Sequence, residues 1–151
     1  MPTITRDQVR IPADVMPEAR ETYRDNYLKA TRGTGRLMLF ACDQKIEHLN
    51  ADFYGEGIDP SDAEPEHLFQ IGSQGVCGVL AGQRGLIAQY ATAYPEINYL
   101  VKMNSTTNLV NTSQDDPYSP PRHELEAVLA MREAGANIGG LGYNIYIGSE
   151  Y

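Results

Sequence analysis

Leu37-Met38-Leu39-Phe40-Ala41-Cys42-Asp43-Gln44-Lys45-Ile46-Glu47-His48 is an apolar run that ends abruptly in a cluster of ionisable and amide side chains. Six apolar residues without helical spacing follow the turn-like Arg32-Gly33-Thr34-Gly35. They predict a strand buried on both faces, as in a parallel sheet covered by helices. In such sheets functional groups gather at the carboxyl ends of strands, where loops converge on a shared mouth. Asp43, Lys45, Glu47 and His48 stand at that place. A solvated loop would explain the same charges without any chemistry, so the flanking sequence has to decide.

Upstream, residues to about Asp14 carry Pro2 and Pro12 with no period, which predicts a loosely packed arm over 1–16. From Pro17 to Thr31, Ala19, Tyr23, Tyr27 and Ala30 fall on one helical face opposite charges, and Gly33 offers a left-handed stop. Downstream, Asn50 to Asp62 is a loop long enough to suggest a function. A helix then opens at Glu64-Pro65-Glu66, with Leu68 and Ile71 as its core contacts and Gly72 or Gly75 as its end.

A second strand, Val76 to Ala81, delivers Gln83 and Arg84, and a helix from Leu86 to Tyr94 is stopped by Pro95. The third strand runs from Asn98 to Asn104. Its period of two places Leu100, Lys102 and Asn104 on one face and Tyr99, Val101 and Met103 on the other. Polar Thr106 to Pro121 leads to a helix with Ser119 as N-cap, Pro120 in its first turn, a buried face of Leu125, Val128 and Leu129, and Gly135 at its end. A last strand begins at Ile138 and opens into the Gly148-Ser149 turn. One helix followed by β-α-β-α-β-α-β implies an α/β protein with a parallel sheet and right-handed crossovers.

Composition limits what such a protein does. The 151 residues, 42% apolar, suit one ordinary domain. Twenty acidic against twelve basic residues leave a formal charge of -8, which argues against nucleic-acid and anionic-membrane partners. Cys42 and Cys77 form no C-x-x-C pair and sit in apolar runs, so they read as reduced, buried thiols. No secretory pattern opens the chain and no apolar run approaches the roughly 20 residues of a membrane span. A cytoplasmic protein is expected.

The strand ends present Asp43, Lys45, Glu47 and His48, then Gln83 and Arg84, then Lys102 and Asn104, then Tyr143, Asn144 and Tyr146. Asp43-Gln44-Lys45-Ile46-Glu47-His48-Leu49 resembles the Asp-His-Gly-x-Glu-His-Gly of archaeal-type class I fructose-bisphosphate aldolases, with departures at Gln44, Lys45 and Leu49. Gln83-Arg84-Gly85 resembles that family's Gln-Arg-Gly, Lys102-Met103-Asn104 its Lys-Leu-Asn, and Gly142 to Ser149 its Gly-Tyr-x-Ile-Tyr-x-Gly-Ser.

The resemblance implies the first four βα units of a (β/α)8 TIM-type barrel over 17–151, preceded by the N-terminal helix. It also implies reversible, cofactor-free cleavage of fructose 1,6-bisphosphate to dihydroxyacetone phosphate and glyceraldehyde 3-phosphate through a lysine Schiff base. Asp43 then handles protons, and Glu47, His48, Gln83, Lys102, Asn104 and Tyr143 bind the sugar phosphate. The family's Schiff-base lysine lies on the sixth strand, whereas four strand signals and about 250 residues for a full barrel make this chain half of one. A fragment, or a homo-oligomer that closes a barrel, is expected.

Of the lysines here, Lys29 reads as solvated, whereas Lys45 and Lys102 lie near strand ends where a lowered pKa would allow imine formation. Two other readings stand beside the aldolase. One is a metal-dependent lyase using Asp43, Glu47 and His48 as ligands. The other is a catalytically empty half-barrel that binds sugar phosphate or a partner half. Gly139-Gly140-Leu141-Gly142 lies within a strand rather than opening a helix, so it does not make a phosphate loop.

Overall fold

The computed structural model describes residues 3–47, 50–105 and 119–147. Strands β1 (Leu39–Ala41), β2 (Val79–Gln83), β3 (Tyr99–Lys102) and β4 (Ile138–Gly142) pair in the order β1-β2-β3-β4, all parallel. Helices α1 (Arg20–Ala30), α2 (Gln44–Glu47), α3 (Pro65–Gln74), α4 (Arg84–Tyr90) and α5 (Leu125–Glu133) precede and connect them. Successive neighbours in a parallel sheet require crossovers, which α3, α4 and α5 supply.

The core lies between one face of the sheet and these helices. Leu80 from β2 and Tyr99, Val101 and Met103 from β3 and its continuation pack with Phe69, Ile87 and Val128. The period-two division of the third strand is therefore the division between core and mouth, because Leu100, Lys102 and Asn104 belong to the other face. No helix among the described residues is long and apolar enough to cross a membrane.

Several elements differ from their sequence reading. The N-terminal arm is not loose: Arg6 pairs with Glu21 and Asp25 on α1, Val9 is buried, and the Ile4 amide donates to the Gly33 carbonyl at 2.8 Å. The first strand is shorter than predicted and is not buried on both faces, since Leu37 and Met38 are 56% and 57% exposed beside an edge strand. Val76 is 75% exposed and β2 starts three residues later, leaving Cys77 outside the strand and only partly buried. In α3 Leu68 packs partly buried against the core as expected, but the buried contacts are Phe69 and Gly72, while Ile71 faces outward. A Cβ on Gly72 would lie 2.6 Å from Leu80 Cδ1, so close approach of helix to sheet sets the helix phase.

α4 ends at Tyr90 rather than Tyr94. Ser119 is no N-cap: Pro121 forms an antiparallel bridge with Asn104, and α5 starts at Leu125 behind Glu124. Only Val128 of its three predicted core residues is buried; Leu125 and Leu129 are exposed. The long loop after the first strand is partly ordered by 3-10 turns at Asn50–Phe53 and Pro60–Ala63. α1 ends at a left-handed pair, Arg32 and Gly33, whose second amide donates to the Leu28 carbonyl at 2.8 Å.

Gly78 is the tightest backbone crossing, because a Cβ there would fall onto the Ala30 carbonyl oxygen. Gly78→Ala should destabilise the protein by about 3 kcal/mol, since the obstacle is backbone rather than a movable side chain. Gly85→Ala, exposed in α4 with nothing near the added methyl, should be neutral or stabilising by up to about 1 kcal/mol. Urea unfolding of the two variants checks the contrast, and equal effects would refute it.

Candidate active site

Strand register assembles the site. Gln83 and Lys102 are direct register partners at the carboxyl ends of β2 and β3, and therefore project to the same face. Ala41 pairs with Ala81 and the Cys42 amide donates to the Ala81 carbonyl at 2.7 Å, so Asp43 comes level with Gln83 just beyond β1. The chain then turns into α2, where the Glu47 amide donates to the Asp43 carbonyl at 3.1 Å. That i,i+4 relation brings both carboxylates to one side of a single helical turn.

Lys102 fills the space between them. Its Nζ donates to Asp43 Oδ2 and to both Glu47 oxygens, each at 2.6 Å. Gln83 Nε2 donates to Glu47 Oε1 at 3.1 Å and completes the cluster. The Lys102 and Glu47 side chains are only 5% and 9% exposed, while that of Asp43 is 22% exposed. Asp43 is thus the carboxylate a ligand can reach, and Glu47 works on Lys102 and Gln83 from beneath.

Burial opposes the Lys102 charge, but hydrogen bonds and attraction from Asp43 and Glu47 outweigh it and hold the ammonium above its ordinary value of 10.5. In this state Lys102 is a cation rather than a free amine, which removes the lowered pKa expected of a surrogate nucleophile. Because the folded value is raised, the stabilisation is fully present below about 10.5 and is lost as pH rises through the folded value.

The remaining predicted residues have distinct positions. Asn104 is buried and spends its amide on backbone: Nδ2 donates to the Ser119 and Asn144 carbonyls at 3.0 and 2.8 Å, and the Asn144 amide donates to Oδ1 at 2.9 Å. It clamps the segment after β4 to the one before α5. Tyr143 is exposed just past β4, and His48 lies outside the described residues. Among those residues no group of three or more His, Cys, Asp or Glu side chains is arranged to hold a metal. The cation seated between Asp43 and Glu47 is the Lys102 ammonium.

Other contacts carry no signal in the sequence pattern. Lys45 Nζ stands 3.9 Å above the Phe53 ring, tying α2 to the following loop, and burial lowers its pKa against the pull of Asp62 and Glu64. Lys29 is not simply solvated, because it donates to the Asn137 side chain. His67 is partly buried against Asp62 at 2.9 Å, and His123 is partly buried and has its pKa lowered by burial and then by Arg84. Cys42 is buried, and that burial pushes its thiol up to about 12. A cavity of about 550 Å³, lined by residues such as Lys29, Gly72 and Asn98, lies at the amino ends of the strands, away from these groups.

A parallel β/α sheet with its charged cluster at the strand carboxyl ends has the architecture of an aldolase (β/α)8 barrel, of which four units are present. The chain belongs to the DeoC/LacD family of aldolases, whose family model matches residues 37–151. A relative from Methanocaldococcus jannaschii, named fructose-bisphosphate aldolase/6-deoxy-5-ketofructose 1-phosphate synthase, is 50% identical over 150 residues, covering 98% of this chain and 47% of that protein. The solved structure of a fructose-bisphosphate aldolase from Slackia heliotrinireducens matches with a TM-score of 0.93 and 75% identity, over 99% of this chain and 47% of its own. An archaeal fructose-1,6-bisphosphate aldolase, solved with its catalytic lysine bound to the carbinolamine intermediate, matches with a TM-score of 0.64 and 27% identity, over 83% and 45%. The chain spans about half the length of the curated relative at 50% identity.

Removing the ammonium leaves two carboxylates facing each other with little water. Lys102→Met should therefore cost about 3 kcal/mol of stability in urea unfolding. Adding Asp43→Asn and Glu47→Gln should return much of that loss, whereas additive losses would show that the three groups do not act as one cluster.

Proposed function

We propose that this chain contributes the first four βα units of a class I aldolase acting on a sugar phosphate through a lysine Schiff base. Its reaction is the reversible cleavage of fructose 1,6-bisphosphate to dihydroxyacetone phosphate and glyceraldehyde 3-phosphate. The observation that carries this reading is the Asp43–Lys102–Glu47 cluster, set at the strand carboxyl ends of a chain so similar to fructose-bisphosphate aldolases.

Carbinolamine must lose water before an iminium can accept electrons from the breaking carbon–carbon bond, and both steps move protons. Asp43 performs the transfers. It gives a proton to the departing carbinolamine hydroxyl, and during cleavage it takes one from the hydroxyl whose oxygen becomes the aldehyde. Lys102 orients Asp43 through the 2.6 Å bond and is itself held by Glu47. The imine-forming lysine in this reading is a different residue, which the raised pKa of Lys102 beside Asp43 and Glu47 supports. Gln83 and Tyr143 line the substrate's side of the mouth, and Asn104 holds the loops that frame it.

The exposed Leu37, Met38 and Val76 beside β1 and β2 are covered in the assembled protein by further βα units or a second copy. An acidic, thiol-reduced chain of this kind works in the cytoplasm. The double name of the Methanocaldococcus relative favours one further reading, in which the same Schiff-base chemistry serves a second carbonyl pair.

Borohydride reduction of the full-length protein with dihydroxyacetone phosphate should add the reduced ketone to one lysine other than Lys102, as read by peptide mass spectrometry. An adduct on Lys102, or none at all, contradicts the proposal. In the same protein Asp43→Asn should lower kcat for fructose 1,6-bisphosphate cleavage by at least about a hundredfold while leaving the fold intact.

A further inference from the structure

Gln83 is 7% exposed, yet its side-chain oxygen has no hydrogen-bond partner among the described residues. Its amide orientation follows from chemistry: the Glu47 carboxylate accepts and cannot donate, so Nε2 must face it, and Oε1 is turned away. Leaving a buried acceptor unmet is costly, so such an atom calls for an explanation. Asn98 Oδ1 is also buried and unmet among the described residues, but it packs against Gly139 at the amino ends of the strands, away from the charged cluster. Gln83 instead ends β2, at the mouth and in register with Lys102.

The neighbours define what fits there. A lysine ammonium has three donors, and the three 2.6 Å contacts to Asp43 and Glu47 use them all. One reachable carboxylate, Asp43, and one amide oxygen therefore face a ligand in a sector whose lysine donors are spent and where one of the two Gln83 N–H groups is held by Glu47. A phosphate, anionic and accepting, is repelled by the neighbouring carboxylates, whereas a hydroxyl can donate to the amide oxygen.

We propose that Gln83 is a specificity-determining residue whose Oε1 accepts a hydrogen bond from the substrate hydroxyl on the carbon next to the reacting carbonyl. The inference rests on the aldolase reading. Asp43 bonds Lys102 and Gln83 is the register partner of Lys102 on the neighbouring strand, so adjacent carbons of one ligand at this mouth would meet both. The phosphate then points away from the β1–β3 sector.

The test is calorimetric binding of dihydroxyacetone phosphate and of hydroxyacetone phosphate, which lacks that hydroxyl, to the full-length protein. Wild type should prefer the hydroxylated ligand by about tenfold, the worth of one well-formed hydrogen bond. Gln83→Met should erase the preference through weaker binding of dihydroxyacetone phosphate alone. Gln83→Glu, which keeps an acceptor but loses the donor to Glu47, should retain it.

Equal affinities in wild type overturn the inference even if Gln83→Met fails to fold. So does a preference that survives Gln83→Met, or a Gln83→Glu variant that behaves like Gln83→Met, which would reduce Gln83 to a support for Glu47. If wild type binds neither ligand, the aldolase reading fails and takes the inference with it.

Discussion

The burial of one ammonium between two carboxylates is the constraint on which this mouth depends. Lys102 on β3 is almost fully enclosed, and Asp43 and Glu47 are its partners from the turn after β1. A charge so placed is tolerated only when its partners are in position. The cluster therefore fixes α2 against the sheet, and with it the carboxylate that faces a ligand. Stability and chemistry meet in the same three groups, which is why neither Glu47 nor Lys102 needs direct contact with substrate to matter.

The sheet prepares this arrangement. Parallel register brings Gln83 beside Lys102 and sets Asp43 at the same level, while the glycines of β4 keep the neighbouring face open. Lys102 pairs in register with Gly142, and a side chain on Gly142 would collide with Leu100 across the strands. The helices cover the opposite face, where Tyr99, Val101 and Met103 are buried. Rigid core on one side and polar groups on the other is the usual division of labour in a β/α barrel, with chemistry at the carboxyl ends of its strands.

Much of this was legible in the chain itself. Lys102 interrupting an apolar alternation marks the mouth-facing side of β3, and the polar residues after each apolar run mark the strand ends. The aldolase-like motifs fall in the matching order. What composition could not supply was contact. Leu37, Met38 and Val76 read as buried because they are apolar, but burial needs a surface to pack against, and they flank the edge of the described sheet. The phase of α3 departs from its apolar pattern for a related reason: Gly72 packing on Leu80 turns Phe69 inward and Ile71 outward, and a glycine carries no hydrophobic signal. Ser119-Pro120 has the composition of a helix start, yet Asn104 draws the next residue into a bridge. The i,i+4 spacing of Asp43 and Glu47 was visible, but the lysine they share comes from a strand 55 residues beyond Glu47.

The protonation state of Lys102 separates a positioning cation from an amine nucleophile, and it can be read directly. Nitrogen-15 NMR of the lysine side chains across a pH titration, with Lys102 assigned by substitution, should show its ammonium persisting beyond 10.5 and titrating earlier once Asp43→Asn or Glu47→Gln removes a partner. A Lys102 amine that loses its proton below 10.5, indifferent to both substitutions, would contradict the account.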